Sequence, residues 1–304
     1  MRILITGPSG AVGAALARTL AGRHELRGLA RDPARVAGEL PLELVRGDVL
    51  SGAGLAPALD GVEIAYYLVH SMEPALAGGF AQRDRAAAQQ FAAAAARAGV
   101  RRIVYLGGLR HGGGRTSPHL ESRGEVEQIL LAAVPDSVAL RASLVIGARS
   151  RSFRAIVRVI ERLPMVPLPP WRRHRTQPID ERDAIAYLVA AAEGAGVGGA
   201  AFDIAGPELL SYGEMIERIA ALLLLRRPLL RLPLSLDRLS SAFAARVSGE
   251  QLELLAPLMG SLHGDLIADD EPARATFAVP LHSFDAAVEH ALREWEELEP
   301  LGVR

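Results

Sequence analysis

The sequence predicts an α/β protein, in which a doubly wound parallel sheet is followed by a smaller, mostly helical C-terminal cap. Three observations lead to this fold class. Short runs rich in β-branched residues alternate with helical patterns through the first half of the chain, as in sheets built from βαβ units. A glycine-rich turn directly follows the first of these runs and precedes the first helical pattern. Beyond Gly147 the alternation loosens, and from Ser211 onward the pattern is mostly helical.

The first half of the chain contains the strands and helices of the predicted sheet. Strands are expected at Arg2–Thr6, His24–Ala30, Leu42–Arg46, Glu63–Val69, Arg102–Leu106 and Ser137–Arg141. Helices are expected at Ala11–Ala21, Gly79–Ala98 and His119–Ala132. Gly99 suits the end of the second helix because glycine easily adopts the left-handed conformation found there. Right-handed crossovers place ligands at the carboxyl ends of such strands.

The second half returns to the α/β pattern before it becomes helical. The proline-rich stretch Pro164–Pro170 interrupts the pattern. The α/β pattern resumes at Gln177-Pro178-Ile179. We then expect a helix at Asp183–Ala192, a strand at Ala201–Ile204 and a final amphipathic helix at Ser283–Leu298. We therefore expect one domain at 1–147, with returns around 177–204, interleaved with a cap region at 148–304.

The composition excludes several classes of chemistry. The chain has 304 residues, a formal net charge of −1 and no cysteine, which excludes disulfides, thiolate metal sites and cysteine nucleophiles. All 34 basic residues are arginine, so a Schiff-base lysine and a P-loop are excluded as well. The charge balance also argues against a dedicated nucleic-acid-binding protein, and no metal site is predicted.

The sequence predicts a soluble cytoplasmic protein. Met1–Ile5 leads directly into the first strand, which leaves no room for a signal peptide. No apolar stretch approaches the roughly 20 residues that are needed to span a bilayer.

The turn after the first strand predicts a dinucleotide site of the Rossmann type. It reads Thr6-Gly7-Pro8-Ser9-Gly10-Ala11-Val12-Gly13. Gly7 permits the tight turn, Gly10 lets the backbone approach a pyrophosphate, and Gly13 lets the helix pack closely on the strand. The N-terminus of the helix then offers N–H groups and partial positive charge to the phosphates.

The end of the second strand favours NADP over NAD. An acid at this point would bind the ribose 2′-hydroxyl of NAD, whereas arginine accommodates the 2′-phosphate of NADP. Ala30 stands where the acid is expected, and Arg31 and Arg35 follow. Asp32 is the rival residue, but an aspartate before a proline is also a good helix cap, so NAD stays open.

Asp48 and Val49 follow the third strand. There they are placed to contact adenine, although Asp48 also suits a turn.

Three stretches together resemble the atypical, NmrA-like NAD(P)H-binding short-chain dehydrogenase/reductases. They are the Thr6–Gly13 turn, Tyr66–Met72 and Val104–Leu109. Later landmarks of the same family match at Leu140–Ala142, Ile146-Gly147, Gln177–Ile179 with Asp183, and Gly206–Glu208. The resemblance implies that Leu68, Val69 and His70 lie beside the nicotinamide ribose, and that Gly107 and Gly108 form the wall facing the reactive ring.

The departures from the family concern the catalytic residues. Active members of the wider superfamily use a tyrosine four residues before a lysine to move the substrate proton. The corresponding segment here is His119-Leu120-Glu121-Ser122-Arg123, and the usual serine is replaced by Gly107 or Gly108. Arg123 is able to hold ribose or phosphate, but it cannot donate a proton.

Two histidines are the candidate proton donors, because imidazole acts as a general acid near neutral pH. His119 opens a predicted helix, and His70 follows the fourth strand. Each is also compatible with a merely structural role. The sequence thus leaves two functions open. One is an NADP-dependent oxidoreductase acting on a small apolar carbonyl, quinone or enone. The other is a non-catalytic sensor or structural subunit that binds NADP(H).

Two further segments have both a structural and a functional interpretation. Between Arg149 and Arg175, arginines recur at helical spacing with one acid, Glu161. This pattern is typical of a solvated helix face and is compatible with an anion-binding rim or a membrane surface. The leucine-rich segment Leu222–Leu234 is expected in the core of the cap, with an apolar substrate pocket as the alternative.

Overall fold

The computed structural model describes residues 1–36, 40–69, 79–110, 117–233, 237–252, 256 and 259–299. Its strands are β1 (Arg2–Thr6), β2 (Glu25–Ala30), β3 (Glu43–Arg46), β4 (Ile64–Tyr67), β5 (Arg102–Gly108), β6 (Val138–Ala142), β7 (Val145–Ile146), β8 (Val166–Leu168), β9 (Arg175–Thr176), β10 (Ile179–Asp180), β11 (Ala200–Asp203), β12 (Leu210–Ser211) and β13 (Leu229–Arg231). Its α-helices are α1 (Ala11–Leu20), α2 (Leu55–Leu59), α3 (Phe80–Arg97), α4 (Pro118–Ala133), α5 (Arg151–Arg162), α6 (Glu181–Glu193), α7 (Tyr212–Leu222), α8 (Asp237–Ser248), α9 (Glu271–Phe277) and α10 (Phe284–Leu298).

The central element is a seven-stranded sheet with the order β11-β6-β5-β4-β1-β2-β3. Every adjacent pair of strands in it is parallel. The chain therefore has the α/β fold of the Rossmann type that the sequence predicts, and β1 lies where the strand order reverses. Ligands of such sheets bind outside the carboxyl ends of the strands at this reversal.

Helices cover both faces of the sheet. Successive side chains of a strand point to opposite faces, so the apolar side chains on each face need a layer of helices to bury them. Ile3 and Ile5 of β1 pack in a core with α1 and α6. Leu4 packs in the opposite core, with α2, α3 and α4. Strand β11 returns to the sheet beside β6 after the excursion through residues 143–199.

The predicted elements of the first half agree with the structure to within two residues at most ends. Strand β5 continues to Gly108, two residues beyond the predicted end. Gly99 has a φ of +71° after α3, which confirms its predicted role. The short helix α2 was not predicted, and β13 interrupts the region expected to be mostly helical. Both are too short to leave a periodic signal.

A third core lies in the second half of the chain, among α5, α7, β8 and α10. Phe153 and Trp295 are fully buried there. In the part of the chain that the structure describes, no helix is both long and apolar enough to cross a membrane.

The expectation of a solvated helix face is corrected in part at α5, where Arg154 and Arg158 are half-buried while Arg151 and Arg162 are exposed. Arg154 lies 4.4 Å from the centre of the Trp295 ring and pairs with the Glu299 carboxylate. Arg151 pairs with Glu250 at 2.7 Å. These guanidinium groups join α5 to α8 and α10, and the carboxylates neutralise them. The alternative of an anion-binding rim is therefore not supported at these residues.

Glu181, the first residue of α6, has an unusually buried carboxyl group. It lies so close to the end of β7 that a Cβ atom at Gly147 would be 2.7 Å from its carboxyl carbon. Its Oε1 is buried, and no hydrogen-bond partner for this atom is found among the described residues. Burial is the main cause that raises the pKa of Glu181 from 4.5 to about 7, with Glu294 and Asp180 adding to the effect.

We expect this carboxyl to make the fold less stable as pH rises. The folded-state pKa lies above the unfolded one, so the stabilising contribution is fully present below pH 4.5 and is lost as pH rises through about 7. Glu181→Gln should raise the free energy of unfolding by about 1–3 kcal/mol at about pH 8, and by much less at about pH 5. Urea unfolding at both pH values measures this. The exposed Glu217→Gln is the control, and an equal gain in both variants would contradict the account.

Candidate functional site

The turn between β1 and α1 is built by close backbone approaches. Gly7 has a φ of +68°, a conformation that favours glycine, and its N–H donates to the Leu29 carbonyl at 3.4 Å. The N–H of Gly10 donates to the Gly7 carbonyl at 3.0 Å. A Cβ atom at Gly13 would lie 2.3 Å from the Gly7 carbonyl oxygen. Only glycine lets the first turn of the helix sit this close to the strand end.

The N-terminus of α1 is open toward the edge of the sheet. Its capping residue is Gly10, which has no side chain to accept a hydrogen bond, and no acid lies in the first turn. The N–H groups of Ala11, Val12 and Gly13 lack acceptors within the helix, and Ser9 and Gly10 are exposed. These residues fit the phosphates of a dinucleotide, since the glycines leave a cradle that side chains would fill.

Thr6 requires a correction. It was predicted with the residues that contact the cofactor, but its side chain is fully buried. Its hydroxyl donates to the Tyr66 carbonyl and accepts from the Leu68 N–H, both at 3.0 Å. Thr6 therefore ties the end of β1 to the end of β4 and positions the turn from below.

The segment after β2 combines a capped turn with exposed arginines. Ala30 ends the strand, and Arg31 and Arg35 are exposed. The Asp32 carboxylate accepts from the Ala34 N–H at 3.2 Å and lies 3.3 Å from the Arg35 guanidinium. Asp32 thus caps the short 3-10 helix Pro33–Arg35, the structural alternative that the sequence offered for it.

Asp48 forms a turn of its own. Its carboxylate accepts from the Leu50 N–H at 2.9 Å, and its own N–H donates to the Ala53 carbonyl at 2.8 Å. Val49 packs against the core beside it. Contact of Asp48 and Val49 with adenine stays a prediction.

Leu68 and Val69 lie directly beside the glycine turn. A Cβ atom at Gly7 would lie 3.1 Å from a methyl group of Val69 and 3.4 Å from the Leu68 carbonyl. The structure thus brings the predicted phosphate-binding and nicotinamide-side residues together. His70 lies outside the described residues.

The wall at the end of β5 is closed to larger side chains. A Cβ atom at Gly107 would lie 2.9 Å from the Tyr105 ring, and one at Gly108 would lie 2.9 Å from a Leu120 methyl group. A serine at either position would require its neighbours to move. The glycines that replace the usual serine are therefore also the residues that let Leu120 of α4 pack against the end of β5.

Arg123 of α4 is locked against the same strand. Its guanidinium donates to the Leu106 carbonyl at 2.5 Å and lies 5.1 Å from the centre of the Tyr105 ring. The Tyr105 hydroxyl donates to the Arg123 carbonyl at 3.2 Å. Arg123 occupies the helix position expected of a ribose-binding residue, with its cation facing the carboxyl end of β5.

His119 lies at the N-terminal turn of α4, where the helix meets the cap. Its ring is half-buried, and its centre is 6.5 Å from that of Phe80. Ser117 caps the helix by accepting from the Leu120 N–H, and its hydroxyl is 3.0 Å from that of Ser261. This pair of serines attaches the start of α4 to the second half of the chain.

All five tyrosines of the chain are buried to more than nine-tenths of their surface, namely Tyr66, Tyr67, Tyr105, Tyr187 and Tyr212. Burial raises the pKa of Tyr105 and of Tyr212 to about 12, and it raises the pKa of the other three as well. Each phenol is therefore buried, and each is a weaker acid in the folded chain than free tyrosine.

A cavity of about 430 Å³ lies between α5, α7, α8 and β8. Ser143, one residue beyond β6, borders it, and the paired partner of Ala142 in the sheet is Gly108. The cavity therefore begins beside the wall at the end of β5. Its lining is almost entirely apolar, and the Trp171 and Tyr212 rings meet edge to face in it at 6.2 Å.

Sequence reasoning missed most of the cavity wall. Of the described residues in the leucine-rich segment 222–234, for which a pocket was the alternative interpretation, Leu232 alone is in the lining, while Leu224 is 90% exposed. The remaining wall comes from segments as distant as Ser152–Ile160 and Met259–Leu266. No local pattern marks such a surface, since its members meet only in the folded chain.

The described residues bring one set of metal-ligand types together, Asp180, Asp183 and His282. Asp180 accepts from the N–H and guanidinium of Arg182. Asp183 accepts from the His282 N–H at 2.8 Å and lies 2.5 Å from its Nδ1. These bonds join the start of α6 to the segment before α10, which gives the three side chains a structural role.

The comparison with protein families agrees with this geometry. Residues 7–141 match a family described as NAD(P)H-binding. Residues 7–141 therefore resemble NAD(P)H-binding domains, and the NmrA-like resemblance of the sequence is consistent with this match. A nicotinamide cofactor is supported on the same basis.

Curated relatives match over part of the chain. A 3 beta-hydroxysteroid dehydrogenase/Delta 5-->4-isomerase of Mycobacterium tuberculosis is 32% identical over 139 residues, which are 40% of this chain and 37% of the relative. A 3-beta-hydroxysteroid dehydrogenase of Mycolicibacterium neoaurum is 32% identical over 115 residues, 34% of this chain and 31% of the relative. The match thus spans about a third of each relative's length.

Solved structures match over nearly the whole fold. A UDP-glucose 4-epimerase of Thermotoga maritima has a TM-score of 0.75 at 11% identity and covers 98% of this chain and 99% of its own. A UDP-glucuronic acid 4-epimerase of Bacillus cereus in complex with NAD has a TM-score of 0.74 at 17% identity, with 98% and 97% covered. At these identities the likeness shows the fold alone.

The close approach of Gly13 predicts a specific loss of nucleotide binding. Gly13→Ala places a methyl group 2.3 Å from the Gly7 oxygen, so the turn must open and the affinity for NADPH should fall at least about 10-fold. Fluorescence titration with NADPH measures this. Gly79→Ala is the control because its Cβ would meet nothing within 4 Å. Unchanged NADPH affinity in Gly13→Ala would contradict the assignment of the turn.

Proposed function

We propose that this protein is an oxidoreductase that uses NADP(H) to interconvert an apolar carbonyl compound, quinone or enone with its reduced form. One observation carries the proposal. The glycine turn follows the carboxyl end of β1, and the cavity borders Ser143, which follows the carboxyl end of β6, so both lie at the same edge of the sheet. The wall at Gly108 lies between them, because Gly108 pairs with Ala142. A nucleotide held at the turn and an apolar molecule held in the cavity would meet at that wall.

The two halves of the chain then have separate tasks. Residues 1–147, with the returns around 177–204, hold the nucleotide, and the rest of 148–304 forms the substrate chamber. A reduced nicotinamide supplies a hydride when it is bound. The chain has to hold it, exclude water and provide a proton. The cavity helps to exclude water, because its lining has few polar groups that water could bind.

The preference for NADP rests on the residues after β2. The phosphate on the adenosine ribose requires cations, and Arg31 and Arg35 are exposed at the edge where Gly7 bonds to Leu29. Asp32, the residue able to select NAD, already accepts from Ala34 N–H and faces Arg35. Its carboxylate is thereby directed into its own turn.

His119 is the proton donor that we propose for the reaction. It stands at the start of α4, beside the Ser117–Ser261 contact that borders the cavity. Arg123 lies one helical turn further on, where its guanidinium can face the nicotinamide ribose. His70 is the second candidate from the sequence, and it stays a prediction.

The apolar cavity supports a substrate with few polar groups. Pockets of 300–1,000 Å³ enclose most small ligands, and a volume of about 430 Å³ falls in that range. The curated relatives are described as hydroxysteroid dehydrogenases. A ring-shaped ketone or alcohol of that general character would suit this lining.

A second function is favoured by the closed wall of β5. A serine at Gly107 or Gly108 would require the Tyr105 ring or the Leu120 side chain to move, and all five tyrosines are buried. A protein that binds NADP(H) as a sensor or structural subunit needs no proton donor. Turnover separates the two functions, because a sensor would bind NADPH without oxidising it in the presence of apolar carbonyl compounds.

We expect Arg31 to discriminate between the two nucleotides. Arg31→Ala removes a charge-assisted contact and should lower the affinity for NADPH about 10- to 100-fold. The affinity for NADH should change less than about 3-fold, because NADH lacks the phosphate. Calorimetric titration of both nucleotides measures the ratio. Arg101→Ala, at the amino end of β5, is the control, and an equal loss for NADH and NADPH would sink the assignment.

Substitution of His119 tests the proton donor. His119→Gln should lower kcat about 100-fold or more with an apolar ketone or enone while NADPH affinity stays within about 3-fold, since general acid catalysis contributes 10²–10⁴. The rate is followed as NADPH oxidation across a panel of apolar ketones, enones and quinones. His290→Gln, on α10, is the matched control.

Two results of that experiment would count against the proposal. If wild-type protein oxidises NADPH and His119→Gln does so equally fast, His119 is not the acid. If wild-type protein binds NADPH and turns over no member of the panel, the sensor replaces the oxidoreductase.

A further inference from the structure

The apolar lining of the cavity continues onto the surface of the cap. Strands β8 and β13 pair in parallel, with Pro167 opposite Leu230. Val166, Pro167 and Leu232 line the cavity. Met165 directly precedes β8, and Leu230 is the strand partner of Pro167. Met165 and Leu230 are each 45% exposed, so exposed apolar side chains lie next to the cavity lining.

Helix α8 provides the other side of this opening. Phe243 lines the cavity and is nevertheless 48% exposed, which places its ring at the mouth. Arg246 is exposed on the same face of the helix, three residues further on. The mouth, defined here by Met165, Leu230 and Phe243, is therefore apolar with a cation beside it.

The chain around the mouth is strongly basic. Segments 160–168, 226–233 and 241–248 contain five arginines and one acid, Glu161. The guanidinium of Arg162 donates to the Val247 carbonyl, and that of Arg227 donates to the Ile160 and Glu161 carbonyls. Backbone carbonyls fix these side chains without neutralising their charge. This contrasts with Arg151 and Arg154, whose partners are carboxylates.

We propose that the mouth docks on the surface of an anionic lipid bilayer. Exposed apolar side chains that insert into the interface and arginines that face anionic headgroups are the two signals that reversible membrane binding combines. A cavity that opens between them gives an apolar molecule dissolved in the bilayer a path that avoids water. The docking rests on the mouth alone and does not require the proposed oxidoreductase activity.

Vesicle flotation tests the docking with the wild-type chain. Vesicles of phosphatidylcholine alone are compared with vesicles that contain about one-quarter phosphatidylglycerol, at an ionic strength of about 0.05 M. We expect the protein to float with the anionic vesicles and to remain behind with the neutral ones. Salt at about 0.5 M should release it, since each arginine contributes about 5-fold at low salt.

Two variants separate the apolar and the charged parts. Leu230→Ser with Phe243→Ser, and Arg162→Gln with Arg246→Gln, should each reduce the vesicle-bound fraction at least about 10-fold. Leu209→Ser is the control for the apolar variant, because Leu209 is 42% exposed and lies outside the mouth. The double variant Arg18→Gln with Arg97→Gln is the control for the charged variant. Thermal melting and NADPH titration verify that each variant is folded.

Three results would overturn the docking. They are no flotation with anionic vesicles, equal losses in the mouth variants and the controls, and a mouth that a second copy of the chain covers. Light scattering after size exclusion measures whether a second copy covers the mouth. If the wild-type chain is a dimer, and the double variant Leu230→Ser with Phe243→Ser is a monomer, the mouth is a site of self-association.

Discussion

The contact between the first turn of α1 and the Gly7 carbonyl is the constraint on which the rest of the site depends. A Cβ atom at Gly13 would lie 2.3 Å from that oxygen, so the helix can approach the strand end only because the residue is glycine. The approach directs the N–H groups of α1 at the carboxyl edge of the sheet. Thr6 fixes the neighbouring end of β4 to the same turn through two hydrogen bonds. The same edge of the sheet also contains Leu68, Val69 and the wall at Gly108.

The sequence predicted the fold, and it marks a candidate nucleotide turn, because both leave local signals. The period of apolar residues marks each strand and helix, and Gly7, Gly10 and Gly13 mark the turn at a fixed spacing. The exceptions have physical reasons. The Thr6 side chain was placed with the ligand contacts because its motif contains it, whereas the folded chain encloses the hydroxyl between two strands.

The cap could not be predicted to the same depth, because its contacts join distant segments. The arginine pattern of α5 resembles a solvated face, but Glu250 and Glu299, about 100 residues or more along the chain, pair with Arg151 and Arg154 and turn part of it into a junction between segments. The cavity wall is likewise assembled from separate segments. The basic surface that remains lies around the mouth, where backbone carbonyls hold Arg162 and Arg227. Charge alone in the sequence does not distinguish these two groups of arginines.

The most direct test of the account is calorimetric titration of the purified chain with NADPH and with NADH. The open helix N-terminus, together with the guanidinium groups after β2, should hold one NADPH per chain in a saturable complex, with NADH bound more weakly. If no saturable heat appeared with either nucleotide at concentrations up to about 1 mM, corresponding to less than about 4 kcal/mol of binding free energy, the turn at Gly7–Gly13 would not be a nucleotide site, and the functional assignment would lose its foundation.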